Sequence, residues 1–487
     1  MSSTPATIAA RPTIRKHART KIISTIGPAC SQPAVLQDLV LAGTDVFRLN
    51  MAHGTRDQHD QAVQAVRQID RQLDHPLGIL VDLAGPKIRL GELPGGTFEC
   101  QPDSKIRFVR GDTIQRPNEL VTNYERLVDE LDEGDLVVLA DATVELVVES
   151  RTQDYAECRV VQAGRVGSRQ GVNLPGVRLS VPAMDHHDRE AAQWAAAREA
   201  DFISLSFVRS PNDLIELKQL LNDVGSQALV IAKIEKAEAL EELEAIVEVA
   251  DGVMVARGDL GVEIDIARVP LVQKQIIEAC NRRNKPVIVA TQMLASMQST
   301  RHPTRAEVTD VANAILDGSD ACMLSGETAV GQYPGETVRM MNRIALVTES
   351  EYRGRHAPRP EGLTAGQVHQ ITLAVVSGAA RIATQLDASL LVVASRSGAT
   401  ALTLSKRRPF TPIIGISQQQ STLRKMSLYW GIAPVHGAPF QDLAALKRFV
   451  SDWGKKDGFL ADGDSVVIVA GTGVTPDMHN AVEVHEV

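Results

Sequence analysis

Three short stretches carry residues whose types and spacing could do chemistry: "AKIEKAE", "VARGDLG" and "FRLNMAHG". Glu235 and Asp259 are carboxylates with no histidine or cysteine close by in the chain, a hard-oxygen pair suited to magnesium or manganese. Around them the sequence sets cations: Arg48, Arg89, Lys233 and Arg257. Cations gathered about a two-carboxylate metal site suit a polyanionic ligand, and phosphate fits best. Phosphoryl transfer asks mainly for positioning and charge neutralisation, so these are the parts it needs. Each group alone has a plainer reading, namely barrel-mouth salt bridges for single arginines and strand filler for the Thr291 hydroxyl. Thr304 and Glu307 in "HPTRAEVTD" stand at capping-box spacing and are read as a helix start.

Positioning these groups requires elements that end at one place. Eight short apolar runs recur with room for a helix between them: "IISTI", "DVFRLN", "GILVDL", "FISLSF", "LVIAKI", "GVMVA", "PVIVAT" and "ACMLS". Nearly unbroken apolar strands alternating with helices mean a parallel sheet covered on both faces, and eight such units predict a closed (β/α)8 barrel. Polar residues sit at or just past the strand ends: Arg48 and Asn50, Asp82, Ser206, Lys233 and Glu235, Arg257 and Asp259, Thr291, then Ser325 and Glu327. Barrel active sites are built at that C-terminal face.

The spacing breaks once. Residues 86–182, with stretches such as "DLVVLADATVELVVES", read as an antiparallel β domain inserted as a lid over the barrel. The barrel is then assigned to 21–85 and 183–355, after a basic N-terminal extension (1–20). Beyond the linker-like "RGRHAPRPEG", residues 356–487 resume α/β alternation as an open-sheet domain. The 487 residues carry a net charge of −9, which argues against a nucleic-acid partner, and no apolar run approaches the roughly 20 residues of a membrane span. Five scattered cysteines without a CxxC fit free thiols in a reducing compartment.

The runs "TKIISTIGPA", "FRLNMAHG", "GPKIR", "GVNLPG", "AKIEKAE", "VARGDLGVEI", "PVIVATQML" and "PTRAEVTDVANAILDGSDACMLSGETAVGQYP" together resemble pyruvate kinase, in family order over nearly the whole chain. The resemblance implies phosphoryl transfer from phosphoenolpyruvate to ADP, giving pyruvate and ATP, in a cytoplasmic homotetramer with a closing lid. It implies that Glu235 and Asp259 hold Mg2+ (or Mn2+) and that Lys233 neutralises the transferring group. Arg48 would hold the phosphoryl group, Gly258 would offer its backbone to the substrate carboxylate, and Thr291 with Ser325 would serve proton delivery. Asn50, His53 and Arg89 would lie toward the nucleotide.

The sequence departs from the family pattern in two places. Gln170 stands before "GVNLPG" where many members carry a lysine. Many pyruvate kinases need potassium, held by segments that read Ser, Thr and Glu where Ala52, Leu83 and Lys87 stand here. The expectation is that the Lys87 ammonium, beside Asp82, replaces the monovalent cation, so that K+ is not required.

In the C-terminal domain Ser395, Arg396, Ser397, Gly398 and Thr400 lie between a strand and a helix, where the family binds an effector phosphate. The family's bisphosphate sites use a longer, basic and aromatic loop near the C-terminus; the equivalent "AGTGVTPDM" is short and lacks both features, so the resemblance implies a sugar monophosphate rather than a bisphosphate. Two competing readings are a metal-dependent aldolase barrel and a non-catalytic sugar-phosphate sensor on the same fold.

Overall fold

The computed structural model describes residues 18–140, 142–352, 369–439, 442–456, 458–471 and 480–487. Most of the N-terminal extension, the linker-like segment and most of "AGTGVTPDM" lie outside them.

All eight apolar runs become strands of one closed parallel barrel: β1 (Lys21–Thr25), β2 (Val46–Asn50), β3 (Gly78–Asp82), β4 (Phe202–Leu205), β5 (Leu229–Ile234), β6 (Gly252–Ala256), β7 (Val287–Ala290) and β8 (Ala321–Leu324). They run β1 to β8 around the ring, and β8 closes on β1. Ile23, Val46, Leu80, Phe202, Ile231, Met254, Ile288 and Met323 fill its inside. The outer apolar faces pack on the surrounding helices. Burial on both sides explains why the strands read as continuous rather than alternating.

A repeat at the bottom of the barrel explains how the strands keep register. Aspartates immediately before the even strands, Asp45, Asp201, Asp251 and Asp320, each accept a backbone N–H from the preceding odd strand or its neighbour: Ile22 at 2.9 Å, Ile79 at 2.9 Å, Val230 at 2.8 Å and Val287 at 2.8 Å. Each also holds a cation, namely Lys21, Arg67, Lys218 and Lys406. The sequence shows this as "TDV", "ADF", "ADG" and "SDA". Repeating an acid at this place, buried at Asp45, Asp201 and Asp320 and half-buried at Asp251, satisfies strand N–H groups that the ladder leaves open, and this face builds stability rather than chemistry.

Two of these acids also anchor the C-terminal domain: Lys406 and Arg408 reach Asp320 at 2.5 and 2.9 Å, and Arg424 reaches Asp201 at 2.8 Å. That domain is a five-stranded sheet ordered β11-β10-β9-β12-β13, from β9 (Leu390–Ala394), β10 (Ile413–Ile416), β11 (Ile432–Val435), β12 (Ser465–Ala470) and β13 (Ala481–Glu486). The sequence reading found β9, β10 and β12 and missed both edges. β11 contains Pro434, which an edge strand tolerates because one side of its backbone needs no ladder partner. β13 runs antiparallel to β12.

Between β3 and β4 the chain forms a curled six-stranded sheet, mostly antiparallel, and a separate two-stranded pair, Thr97–Cys100 with Gly164–Gly167. Phe108, Leu120, Leu146 and Val160 are among its own core. The helix Arg305–Leu316 starts at the expected capping box, with Thr304 Oγ1 accepting the Glu307 N–H at 3.2 Å. All five cysteines are free and buried; burial pushes the thiols of Cys158, Cys280 and Cys322 up to about 12.

Candidate active site

Strands β2 to β5 deliver one connected ionic network to the barrel mouth. Asp82, the last residue of β3, accepts from Arg48 Nε at 2.8 Å and Nη2 at 2.5 Å, and from Ser204 Oγ at 2.6 Å. Lys233 Nζ lies 3.3 Å from the same carboxylate, 2.9 Å from Glu235 Oε1, and donates to Ser206 Oγ at 2.7 Å. Arg48 Nη1 donates to Thr25 Oγ1 at 3.1 Å. Lys233 and Glu235 are two residues apart at the end of β5, so the pleat sends both side chains to one face.

Burial and charge act against each other here. Burial alone would raise the Asp82 pKa, but the Lys233 and Arg48 cations and the Ser204 hydrogen bond outweigh it, and the carboxyl is held below its ordinary value. Burial would neutralise Lys233, yet Asp82 and Glu235 outweigh it and the ammonium titrates above its usual range. Glu235 goes the other way: burial, with the neighbouring Asp259 charge, raises its pKa against the pull of Lys233.

The signs define a pH window. Asp82 contributes stability that is complete above its ordinary pKa near 3.9 and is lost as pH falls through its lowered value. Lys233 contributes stability complete below about 10.4 and lost as pH rises through its raised value. Replacing Asp82 by asparagine is therefore expected to destabilise the barrel by about 3–5 kcal/mol at neutral pH, the cost of breaking a buried pair. The gap between variant and wild-type urea midpoints should narrow as pH falls below 4; a pH-independent gap would show that shape, not charge, is what Asp82 supplies.

Glu235 and Asp259 form the donor set expected for a hard divalent cation. Two carboxylates, one of them buried, lie close enough for the Asp259 charge to raise the pKa of Glu235, which is the repulsion that a cation between them would relieve. Glu235 Oε2 is oriented by the Phe207 N–H at 2.8 Å. The residues present fit Mg2+ or Mn2+.

Thr291 sits just beyond β7 with φ of 69°, and Gln292 follows at 53°. A β-branched residue in the left-handed region costs about 1–3 kcal/mol and persists where the surroundings hold it for use. Its Oγ1 accepts the Gly258 N–H at 2.9 Å and donates to the Ala290 carbonyl at 2.7 Å. Ser325 follows β8, and its N–H donates to Glu327 Oε2 at 2.7 Å, while Glu327 Oε1 accepts the Leu294 N–H at 3.2 Å. Buried Glu327 thus ties the β7 and β8 loops together.

Three of the expected cations, Arg257, Arg89 and Lys87, lie elsewhere or have other partners, and Gln170, the departure from the family pattern, folds back within the lid. Arg257 does not join the other cations: it donates to Asp310 at 2.6 Å, to the Thr291 carbonyl at 2.9 Å and to Met293 Sδ at 2.9 Å. A helix begins at Arg257 itself, and that turn carries the side chain away from the mouth and behind Thr291. Arg89 is part of the lid, bridged to Gly171, with Nη1 donating to the Arg169 carbonyl at 3.2 Å. Lys87 Nζ lies 3.8 Å from Asp259 Oδ1; among the described residues no ion pair joins it to Asp82, whose oxygens are taken by Arg48, Ser204 and Lys233. Gln170 turns back to accept the Gly167 N–H at 2.7 Å.

Asn50 closes the β2 loop by accepting the Ala52 N–H at 3.2 Å, and exposed His53 accepts from His59 Nε2 through its carbonyl at 2.9 Å. Ser204 was missed by the sequence reading, and Ser206 was noted without a role. Their signal was two hydroxyls at alternate positions in the apolar run "FISLSF".

In the C-terminal loop Ser395 Oγ accepts the Gly398 N–H at 3.0 Å, and Gly398, at φ of 91°, starts the helix Ala399–Lys406. Arg396 and Ser397 are exposed, and Thr400 is buried.

Comparison with known proteins agrees along the chain. The family model "Pyruvate kinase, barrel domain" matches residues 17–338, and "Pyruvate kinase, alpha/beta domain" matches 373–485. A pyruvate kinase of Staphylococcus aureus (strain MRSA252) is 38% identical over 473 residues, 96% of this chain and 80% of the relative. Pyruvate kinase 2 of Synechocystis is 41% identical over 458 residues, 93% and 76%. The crystal structure of a pyruvate kinase from Cryptosporidium parvum superposes with a TM-score of 0.88 at 30% identity, covering 97% of each chain. Motifs, fold and relatives agree, and the chain belongs to the pyruvate kinase family, whose members are phosphotransferases that work with a divalent metal.

Proposed function

We propose that this protein transfers the phosphoryl group of phosphoenolpyruvate to ADP, giving pyruvate and ATP. The observation that carries the reading is the Lys233 ammonium, held 2.9 Å from Glu235 and 3.3 Å from Asp82 at the barrel mouth. A buried cation fixed by two acids is preorganised to meet negative charge that develops on a phosphoryl group and on an enolate oxygen.

Glu235 and Asp259 would hold Mg2+ or Mn2+. When bound, the ion would neutralise phosphoryl and carboxylate oxygens of the substrate. Arg48 holds the phosphoryl group from the β2 side, steadied by Asp82. The Gly258 N–H donates to the substrate carboxylate, and in doing so frees Thr291 Oγ1 from the hydrogen bond it accepts from that amide. Thr291, with Ser325, is then available to move a proton to the enolate carbon. Asn50, His53 and Arg89 face the nucleotide, and the lid excludes water. Lys87 supplies the charge of a monovalent cation, so K+ is not needed. The assembly is a homotetramer.

Formation of pyruvate and ATP in equal amounts from phosphoenolpyruvate, ADP and Mg2+ is the expected result. A folded protein that makes neither would instead favour a non-catalytic sensor. The intact Lys233, Glu235 and Asp259 set argues against that reading.

The loop of Ser395, Arg396, Ser397, Gly398 and Thr400 binds the phosphate of an activating sugar monophosphate. Changing Ser397 and Thr400 to alanine is expected to abolish activation while leaving the effector-free rate within about twofold, since neither residue is near the barrel mouth. Activation that survives both changes would move the effector elsewhere.

A further inference from the structure

The lid is joined to the barrel by two chain crossings, and one four-residue segment of the barrel, 206–209, touches both of them and the metal acid. On the exit side Ser206 Oγ donates to the Leu83 carbonyl at 2.7 Å and accepts from Lys233. Gly85, at φ of 71°, packs so closely on this segment that an added Cβ would lie 2.7 Å from the Phe207 ring and 2.9 Å from Ser206 Cβ. Next in the segment, the Phe207 N–H holds Glu235, and Phe207 itself is strained at φ of 54°.

On the return side Arg209 closes the joint. Its Nη1 donates to the Leu179 carbonyl at 2.6 Å and Nη2 to the Val181 carbonyl at 2.7 Å. The residue between them belongs to the lid: the Ser180 N–H and hydroxyl both donate to Glu130, which also accepts from Tyr124. Successive groups of an extended strap therefore face opposite bodies, carbonyls to the barrel and Ser180 to the lid. A planar guanidinium can span two carbonyls two residues apart; a lysine ammonium is a single point on a flexible stem.

We propose that Arg209 is a positioning residue that fixes the lid's angle over the barrel mouth, and through it the approach of the lid's nucleotide groups to the metal acids. This rests on the phosphoryl-transfer reading for its kinetic consequence, but not for its structural one. The hydrogen bonds of Arg209 go to Asp213 and to the strap carbonyls, not to Lys233, Glu235 or Asp259, so it acts through the strap. Because residues 206–209 also hold Lys233 and Glu235, the same segment gives lid and metal site a common frame.

The test uses the full chain with spin labels at Gln153→Cys in the lid and Asn222→Cys on the barrel; both positions are exposed, and the five native thiols are buried. In the Arg209→Gln variant, the lid–barrel distance distribution without ligands is expected to broaden clearly beyond that of the parent, with Arg209→Lys between the two. Mn2+ affinity, read by the free-ion electron paramagnetic resonance signal, should stay within about twofold. The KM for ADP should rise on the order of tenfold, short of the roughly hundredfold that a one-ångström misplacement of reacting groups costs. Ser180→Ala, which loosens the lid half of the strap, should broaden the distances in the same direction. An unchanged distance distribution in Arg209→Gln overturns the proposal. Loss of Mn2+ affinity overturns it too, since Arg209 would then act through Phe207 and Glu235. The distance and Mn2+ measurements need no turnover, so an inactive parent protein would count against the phosphoryl-transfer reading alone.

Discussion

Lys233→Met is expected to lower kcat on the order of 10³-fold while leaving the protein able to bind Mn2+ at pH 8. The magnitude is that of removing a preorganised charge partner from a developing oxyanion. In the native network the ammonium faces three oxygens, of Asp82, Glu235 and Ser206, at 2.7 to 3.3 Å. Those contacts fix where it sits before substrate arrives, so no reorganisation is needed during transfer. Methionine keeps most of the unbranched stem, one atom shorter, and removes the charge. Asp82 retains Arg48 as a partner, which limits the structural damage to one broken buried pair, about 3–5 kcal/mol.

Metal binding separates the two roles that Lys233 could have. Its charge opposes a divalent ion at Glu235, so its loss should not weaken Mn2+ binding at a pH where Glu235 is ionised. At lower pH the sign reverses, because without Lys233 burial drives the Glu235 pKa still higher and the proton competes with the ion. A kcat loss with Mn2+ affinity intact at pH 8 assigns Lys233 to the transferring group. Parallel loss of both would mean that it serves chiefly to hold Glu235 in place. Lys233→Arg should not rescue, since the pocket is built around a compact point charge.

The barrel was legible because each strand is buried on both faces and so appears as a short apolar run, with Asp or a strand-end polar residue marking its limits. Lys233, Glu235 and Asp82 were legible for the same reason: a charge at the end of such a run has nowhere to go but the barrel mouth. Arg257 shows the limit. It occupies an equivalent position in "VMVARGD", but helix formation begins on the residue itself and rotates the guanidinium to Asp310, a partner 53 residues away. The edge strand β11 was hidden by Pro434, which is a strand breaker only where both sides of the backbone must pair. The joint at Arg209 was illegible for a different reason. Its partners are backbone carbonyls, and carbonyls leave no trace in side-chain identity.

Equal rates of pyruvate formation in potassium and in an organic-cation buffer are expected for the wild-type chain, and Lys87→Glu is expected to create a need for potassium. In the structure the Lys87 ammonium stands 3.8 Å from Asp259, one of the two metal acids, with its side chain only 30% exposed. Asp82 is already matched by Arg48 and Lys233, so the charge that Lys87 brings is not tied up there. A tethered cation carries a large effective concentration, whereas a free ion must be recruited from solution. Replacing it by glutamate changes the local charge by two units, and the rate without potassium should fall by about a hundredfold, on the scale of one lost charge partner. Potassium should restore only part of it, because Ala52 and Leu83 offer no side-chain oxygen to hold the ion. Adding Ala52→Ser and Leu83→Thr to Lys87→Glu should therefore raise the potassium-restored rate and lower the potassium concentration that half-restores it. Many-fold potassium activation of the wild-type chain would instead mean that Lys87 spends the catalytic cycle at Asp259, and that a free monovalent ion does the work beside Asn50 and Asp82.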